Sequence, residues 1–124
     1  MPRKPLDFDD VRELAGKLPG IEHAMGRGAP CLKVNGKLLT CPALHESAEP
    51  DSLVVKIARE QRAKLMAADP DVYYVTEHYV DYPTVLVRMA RIRRPALRDV
   101  LTLAWQLAYG DTHHPTKKRS RRRR

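Results

Sequence analysis

The most constraining feature of this sequence is a dipeptide. In PCLKVNGKLLTCPAL, Pro30 to Leu44, Asn35-Gly36 separates two segments of extended character. A two-residue connection between antiparallel strands is a type I′ turn, and both of its central residues need positive φ, which Asn and Gly reach most readily. The pair therefore predicts a β-hairpin, and a hairpin fixes a register. Val34 is expected to face Lys37, Lys33 to face Leu38, Leu32 to face Leu39, Cys31 to face Thr40 and Pro30 to face Cys41. Successive strand residues point to opposite faces, so this register sends Cys31 and Cys41 to opposite sides of the sheet and argues against a disulfide between them.

Helical and strand signals surround the hairpin. DFDDVRELAGKLPG offers Asp7 as N-cap, with Asp9 and Asp10 near the positive helix end. Its apolar residues Phe8, Val11, Leu14, Ala15 and Leu18 recur at helical spacing, and Pro19-Gly20 is expected to stop the helix. A short strand is expected over Glu22 to Gly26, followed by a loop at Gly26 to Ala29. His45 to Ser52 is polar and reads as a loop. SLVVKI reads as a strand with Leu53, Val55 and Ile57 on one face. AREQRAKLMAADP is rich in helix formers and ends at Asp69-Pro70. Val72 to Val75 and Thr84 to Ala90 read as strands, the second with Val85, Val87 and Met89 on one face. The last helix carries Pro95 in its first turn and Leu97, Val100, Leu101, Ala104 and Leu107 as its stripe, with Gly110 as its stop. Strand blocks separated by single helices predict an α+β domain with a largely antiparallel sheet and an N-terminal, a middle and a C-terminal helix.

The chain's 124 residues fit one such domain, expected over residues 1–112, with a basic tail over 113–124. The net charge of +8 resembles a nucleic-acid signal until its distribution is examined. KKRSRRRR, Lys117 to Arg124, holds seven of the 23 Lys and Arg, and all 15 Asp and Glu precede it. Residues 1–116 therefore carry 16 cations and 15 acids, a net of +1. The basic character belongs to the tail, which is too polar to bury anything and is expected to be disordered alone. No apolar run approaches the roughly 18 residues needed to cross a bilayer, so no membrane role is expected. MPRKPLDFDD lacks the apolar segment of a secretory signal, and two Cys make no disulfide framework, so the expected location is the cytoplasm.

Three stretches together resemble one family. LPGIEHAMGRGAPCLKVNGKLL, DSLVVKIAREQRAKLMAADPDVYYVTEHYVDYPTVLVRMA and the closing helix with Trp105 are similar to the MmcQ/YjbR-like proteins. The similarity spans nearly all of residues 7–110 and is most specific in the order and spacing of LPG, K-V-N-G-K, S-L-V-V-K and H-Y-x-x-Y-P-x-V-L-V-R. Many relatives carry a Trp where Thr84 stands and an aromatic near Met25 or Leu32, and this chain departs from that pattern. The resemblance implies a compact α+β domain with the fold of secretion chaperones, often described as DNA-binding.

Function is less legible. Aromatics beside cations can stack bases and hold phosphates, which makes His78, Tyr79 and Tyr82 with Arg88 a candidate nucleic-acid contact. A plainer reading has the two tyrosines covering the core edge with their hydroxyls wet. Arg88, Arg91, Arg93, Arg94 and Arg98 cluster around the last strand-to-helix junction, where a helix N-terminus attracts anions, and Lys33, Lys37 and Lys56 extend that patch. The alternative there is a solvated face balanced by acids. Lys117, Lys118, Arg119, Arg121, Arg122, Arg123 and Arg124 would release up to about six counterions from duplex DNA.

Metal and enzyme signatures are scarce. No paired CxxC, HExxH, GxSxG or phosphate loop occurs, and His113-His114 belongs to the expected tail. A cluster of His23, His45 and His78 is the one catalytic alternative left open. The sequence predicts a non-enzymatic protein without cofactor that binds DNA or another polyanion electrostatically and without sequence preference. The alternative is a protein- or small-ligand-binding module using the sheet face or a groove near His78, with the tail accessory.

Overall fold

A computed structural model describes residues 5–26 and 28–113. The order is α1 (Phe8–Ala15), β1 (Ile21–Gly26), β2 (Ala29–Val34), β3 (Lys37–Pro42), β4 (Ser52–Lys56), α2 (Arg59–Ala68), β5 (Tyr73–Tyr74), β6 (Thr84–Arg88) and α3 (Arg94–His113). Among the described residues the strands form one antiparallel sheet in the order β1-β2-β3-β4-β6-β5. The α+β architecture is the expected one. The expected basic tail falls almost wholly on residues 114–124, which lie outside the described residues.

Each helix follows from local chemistry. The Asp7 carboxylate accepts the Asp10 N–H at 3.2 Å, and the Asp10 carboxylate accepts the Asp7 N–H at 2.9 Å. This reciprocal capping box satisfies two backbone donors at the N-terminus of α1. The hydrogen bond from the Asp7 N–H, with the charge of Arg94, holds the Asp10 carboxyl below its ordinary value, against the smaller opposing effect of burial. α1 ends at Ala15, with the Gly16 N–H still bonded to Arg12 O at 2.8 Å, so Pro19-Gly20 makes the turn into β1 and does not stop the helix. Gly20, at φ +77, supplies the positive φ for that turn. α3 runs through Gly110, the expected stop, to His113. A glycine ends a helix where the chain leaves through a left-handed residue, and Gly110 stays in the helical ladder.

α3 packs against β2, β3 and β4, and α1 packs on α3. Leu97, Val100, Leu101, Ala104 and Ala108 face the core, so Ala108 takes the place expected for the half-buried Leu107. They meet Leu32, Val34, Leu39, Leu53, Val55, Val85 and Val87 from one face of the sheet. Each such side chain contributes about 1.5–3 kcal/mol when fully buried. α2 buries no residue completely and leans Leu65 and Met66 on this core. Trp105 closes the open end, with its ring N–H donating to Pro19 O at 2.7 Å.

The hairpin turn is as expected, with Asn35 at φ +54 and Gly36 at φ +78. Val34↔Lys37 and Lys33↔Leu38 also pair as expected. Beyond them the register shifts, and Leu32 faces Thr40 in place of Leu39. A β-bulge places two residues of β3 against one of β2. Leu39 and Thr40 are both fully buried, and the Thr40 hydroxyl donates to Val54 O at 2.7 Å, so the extra residue is accommodated without an orphaned polar group. The bulge reverses the parity expected for the rest of β3. Cys41 pairs with Val54 and so lies on the same sheet face as Cys31. Both are free.

Other strand ends move too. Gly26 and Ala29 pair across the β1–β2 turn, which shortens the expected loop. The expected strand over Val72 to Val75 contracts to Tyr73–Tyr74, because the Val72 and Tyr73 N–H groups turn back to Asp69 O. β6 ends at Arg88, where the Arg91 and Ile92 N–H groups fold onto Arg88 O.

Replacing Gly36 with alanine tests the hairpin in isolation, since an added Cβ meets nothing within 4 Å and only the positive φ opposes it. Gly36→Ala is expected to lower unfolding free energy by about 1 kcal/mol in urea denaturation, with an unchanged m-value. No loss would show that the turn conformation is not what fixes this hairpin.

Candidate functional site

The face of the sheet away from α3 carries Cys31, Lys33, Leu38, Cys41, Val54, Lys56, Thr84 and Leu86. Among the described residues no helix covers this row, yet Val54 and Leu86 are buried. The β3–β4 loop and the β5–β6 loop close over it. The His45 N–H donates to the Tyr79 hydroxyl at 3.4 Å, and the Ser47 and Thr76 hydroxyls bond at 2.9 Å. The Tyr74 hydroxyl accepts the Glu49 N–H at 2.9 Å and bonds Ser52.

Three arginines hold the loops down. Arg62 of α2 reaches the carbonyls of Val80, Tyr82 and Thr84 at 3.2, 3.0 and 3.1 Å, and Arg59 reaches that of Asp81. Arg88, at the end of β6, clasps both Glu49 oxygens at 2.9 and 2.8 Å, donates to Pro70 O and Asp71 O at 3.1 Å, and lies 4.1 Å over the Tyr74 ring. Its planar fork suits such a set of acceptors, and lysine could not reproduce it. The bidentate hydrogen bond from Arg88, with its charge and that of Arg91, holds the Glu49 carboxyl below its ordinary value.

A groove of about 740 Å³ remains between sheet and loops. Cys31, Cys41 and Val54 lie on its floor. Lys33, Leu38, Lys56 and Thr84 cross it on successive strands, with Lys56 directly paired to Thr84. Its wall is aromatic. His45 and His78 stack with ring centroids 3.5 Å apart and planes 7° from parallel. Tyr79 stands edge-on to both, and Tyr82 lies 6.4 Å from His78. Among the described residues no carboxylate lines the groove, and neither Lys33 nor Lys56 makes an ion pair. A smaller depression of about 330 Å³ lies between α1 and α3, and Arg94 on its rim is already committed to Asp10 and Glu13.

The structure thus brings His78, Tyr79 and Tyr82 together and adds His45 to them. His23 pairs with Leu32 on the other sheet face and takes no part. The arginines do not converge on these rings. Arg88 stands four residues along β6 from Thr84, about 13 Å at the usual strand rise. Arg94 binds Asp10 at 2.6 Å and Glu13 at 3.0 Å, and Arg98 meets Asp99 at 3.4 Å. Arg91 and Arg93 are exposed near the start of α3. Lys117, Lys118, Arg119, Arg121, Arg122, Arg123 and Arg124 lie outside the described residues. Among those described, no three His, Cys, Asp or Glu come together as metal ligands, and no helix is long and apolar enough to cross a membrane. Sequence reasoning missed Arg59, Arg62 and Glu49. The spacing of Arg59 and Arg62 on one face of a helix was the available signal for two of them.

The Arg88–Glu49 pair gives a test with a definite sign. A carboxyl held below its ordinary 4.5 stabilises the fold fully above that pH and ceases to do so as pH falls through the lowered value. Arg88→Gln is expected to lower the melting temperature by several degrees at neutral pH and to flatten the loss of stability below pH 4.5. Parallel acid limbs for the two proteins would remove the pair from the account of how the loops are held.

No protein-family model matches the chain. Over 110 residues it is 34% identical to the uncharacterised protein Rv2570 of Mycobacterium tuberculosis, a match covering 79% of this chain and 84% of that protein. The uncharacterised protein Mb2600 of Mycobacterium bovis matches with the same identity and coverage. Among solved structures, the crystal structure of the Deinococcus radiodurans protein DR2400, a DUF419 domain, superposes with a TM-score of 0.71 at 18% identity, covering 95% of this chain and 88% of that one. At that identity the likeness is one of fold. The chain belongs to the family of the mycobacterial proteins Rv2570 and Mb2600, on a fold shared with the DUF419 domain.

Proposed function

We propose that this protein is a non-enzymatic binding module and that its ligand is an anion seated in the groove beside His78. The observation that carries this reading is the pairing state of the cations. Arg88, Arg94 and Arg98 are bonded to acids, whereas Lys33 and Lys56 face a groove that no carboxylate among the described residues lines. Low-dielectric walls strengthen the field of such charges on a ligand that enters. The volume is that of a small-molecule site.

The proposal includes membership of the MmcQ/YjbR-like proteins. It is supported by the K-V-N-G-K hairpin, by H-Y-x-x-Y-P-x-V-L-V-R and by the fold shared with a DUF419 domain. A cytoplasmic site of action goes with it, supported by a cysteine content too low for a disulfide framework. Electrostatic DNA binding is a second reading. Its specific support is the seven-cation run of Lys117 to Arg124, and on that reading the groove is accessory.

Chemical-shift mapping separates the two. With pyrophosphate as probe, the amides of Lys33, Leu38, Lys56 and Thr84 are expected to shift, and Lys33→Met with Lys56→Met to weaken binding about tenfold or more. A chain ending at Thr116 is expected to keep this response and to lose a DNA duplex near physiological salt. A shortened chain that still held the duplex, with shifts at Arg91 and Arg93, would favour the nucleic-acid reading.

A further inference from the structure

We propose that the groove recognises a planar aromatic ring joined to a single anionic group, with the anion on Lys33, Lys56 and the Thr84 hydroxyl and the ring against Tyr82 and the stacked His45–His78 pair. This rests on the reading of the groove as an anion site and names the class of ligand it takes.

The first observation is an orphan. Thr84 is 5% exposed, lines the groove, and its side-chain oxygen has no hydrogen-bond partner. Buried hydroxyls are ordinarily paired, and one left unpaired disfavours the folded state. Thr40, the other buried threonine on these central strands, shows the ordinary case in its bond to Val54 O. Valine fits a β-strand as well as threonine does and carries no such cost, so packing gives no reason for the hydroxyl at position 84. An anionic oxygen between Lys56 and its strand partner Thr84 would supply the missing acceptor while meeting the ammonium charge.

The second observation is the wall. Tyr82 is 55% exposed despite its size, and its ring lies within stacking range of His78. Ring contacts form best offset or edge-on at such separations, and the parallel imidazoles offer a flat surface beside it. Tyr82 precedes Thr84 by two residues, so the aromatic wall and the anion row meet where β6 begins. Arg62 fixes that junction by holding the carbonyls on both sides of Pro83. A ligand with only a ring would leave the lysines unused, and one with only an anion would leave the wall unused.

Isothermal titration of the full chain tests this with four probes: adenosine 5′-monophosphate, 1-naphthoate, adenosine and inorganic phosphate. At least one of the two ring-plus-anion probes is expected to bind about tenfold or more tighter than either adenosine or phosphate, and which one does so distinguishes phosphate from carboxylate recognition. Thr84→Val is expected to weaken that probe about tenfold while leaving the melting temperature unchanged or higher, because a methyl group replaces an orphaned hydroxyl. Tyr82→Leu, at an exposed position that folding tolerates, is expected to reduce it to the affinity of the anion alone. The proposal is overturned if both bipartite probes bind no tighter than phosphate, or if Thr84→Val binds them unchanged. In either case a persisting, lysine-dependent response to pyrophosphate leaves the anion groove standing without ring selectivity. Loss of that response as well removes both readings.

Discussion

Two strands with buried residues on both faces govern this structure. β4 and β6 pair directly, and helices cover one of their faces. Val55, Val85 and Val87 join the main core, while Val54 and Leu86 are buried on the other side and outside that cluster. Apolar surface there cannot be left to water without cost, so loops must do what helices do elsewhere. Loops carry polar backbone, and folding them over a sheet requires partners for it. Arg62, Arg88 and the Tyr74 hydroxyl provide those partners. The groove is the space that this arrangement leaves.

That requirement changes the meaning of the arginines. Counted along the chain, Arg88 to Arg98 form a basic cluster beside a helix N-terminus. In three dimensions Arg88 joins the β3–β4 loop, the α2–β5 turn and β5, and Arg94 joins α3 to α1. Both are structural ties between elements distant in sequence. Lys33 and Lys56, which looked like the outskirts of the arginine patch, are the cations facing the groove. Partner distance decides this difference, since an ion pair spanning 39 or 84 residues leaves no local pattern.

The bulge in β3 teaches a related lesson about register. The Asn35-Gly36 turn determined the first two pairs correctly because a two-residue turn leaves the adjacent residues no freedom. It had no hold on residue 39. There the buried volume between Leu32 and α3 takes both Leu39 and Thr40, and the ladder yields by one residue. A period-2 pattern converts that single insertion into a change of face for everything after it. Cys41 thereby joins Cys31 on the groove floor, an association that turn chemistry alone argued against.

What the sequence by itself determined were the quantities set by neighbours along the chain. The Asp7 cap, the helical stripes, the hairpin turn, the α+β class and the near-neutral balance of residues 1–116 all depend on side chains within a few positions of one another. His78, Tyr79 and Tyr82 were also legible as a group, because one short loop carries all three. The tertiary structure decided which face each β3 residue takes, which arginines are spent on carbonyls and carboxylates, and that His45 stacks on His78 across 33 positions. It also decided that the Thr84 hydroxyl is buried without a partner. These outcomes follow from volume, face and distance, which a chain acquires only when its remote segments are packed together.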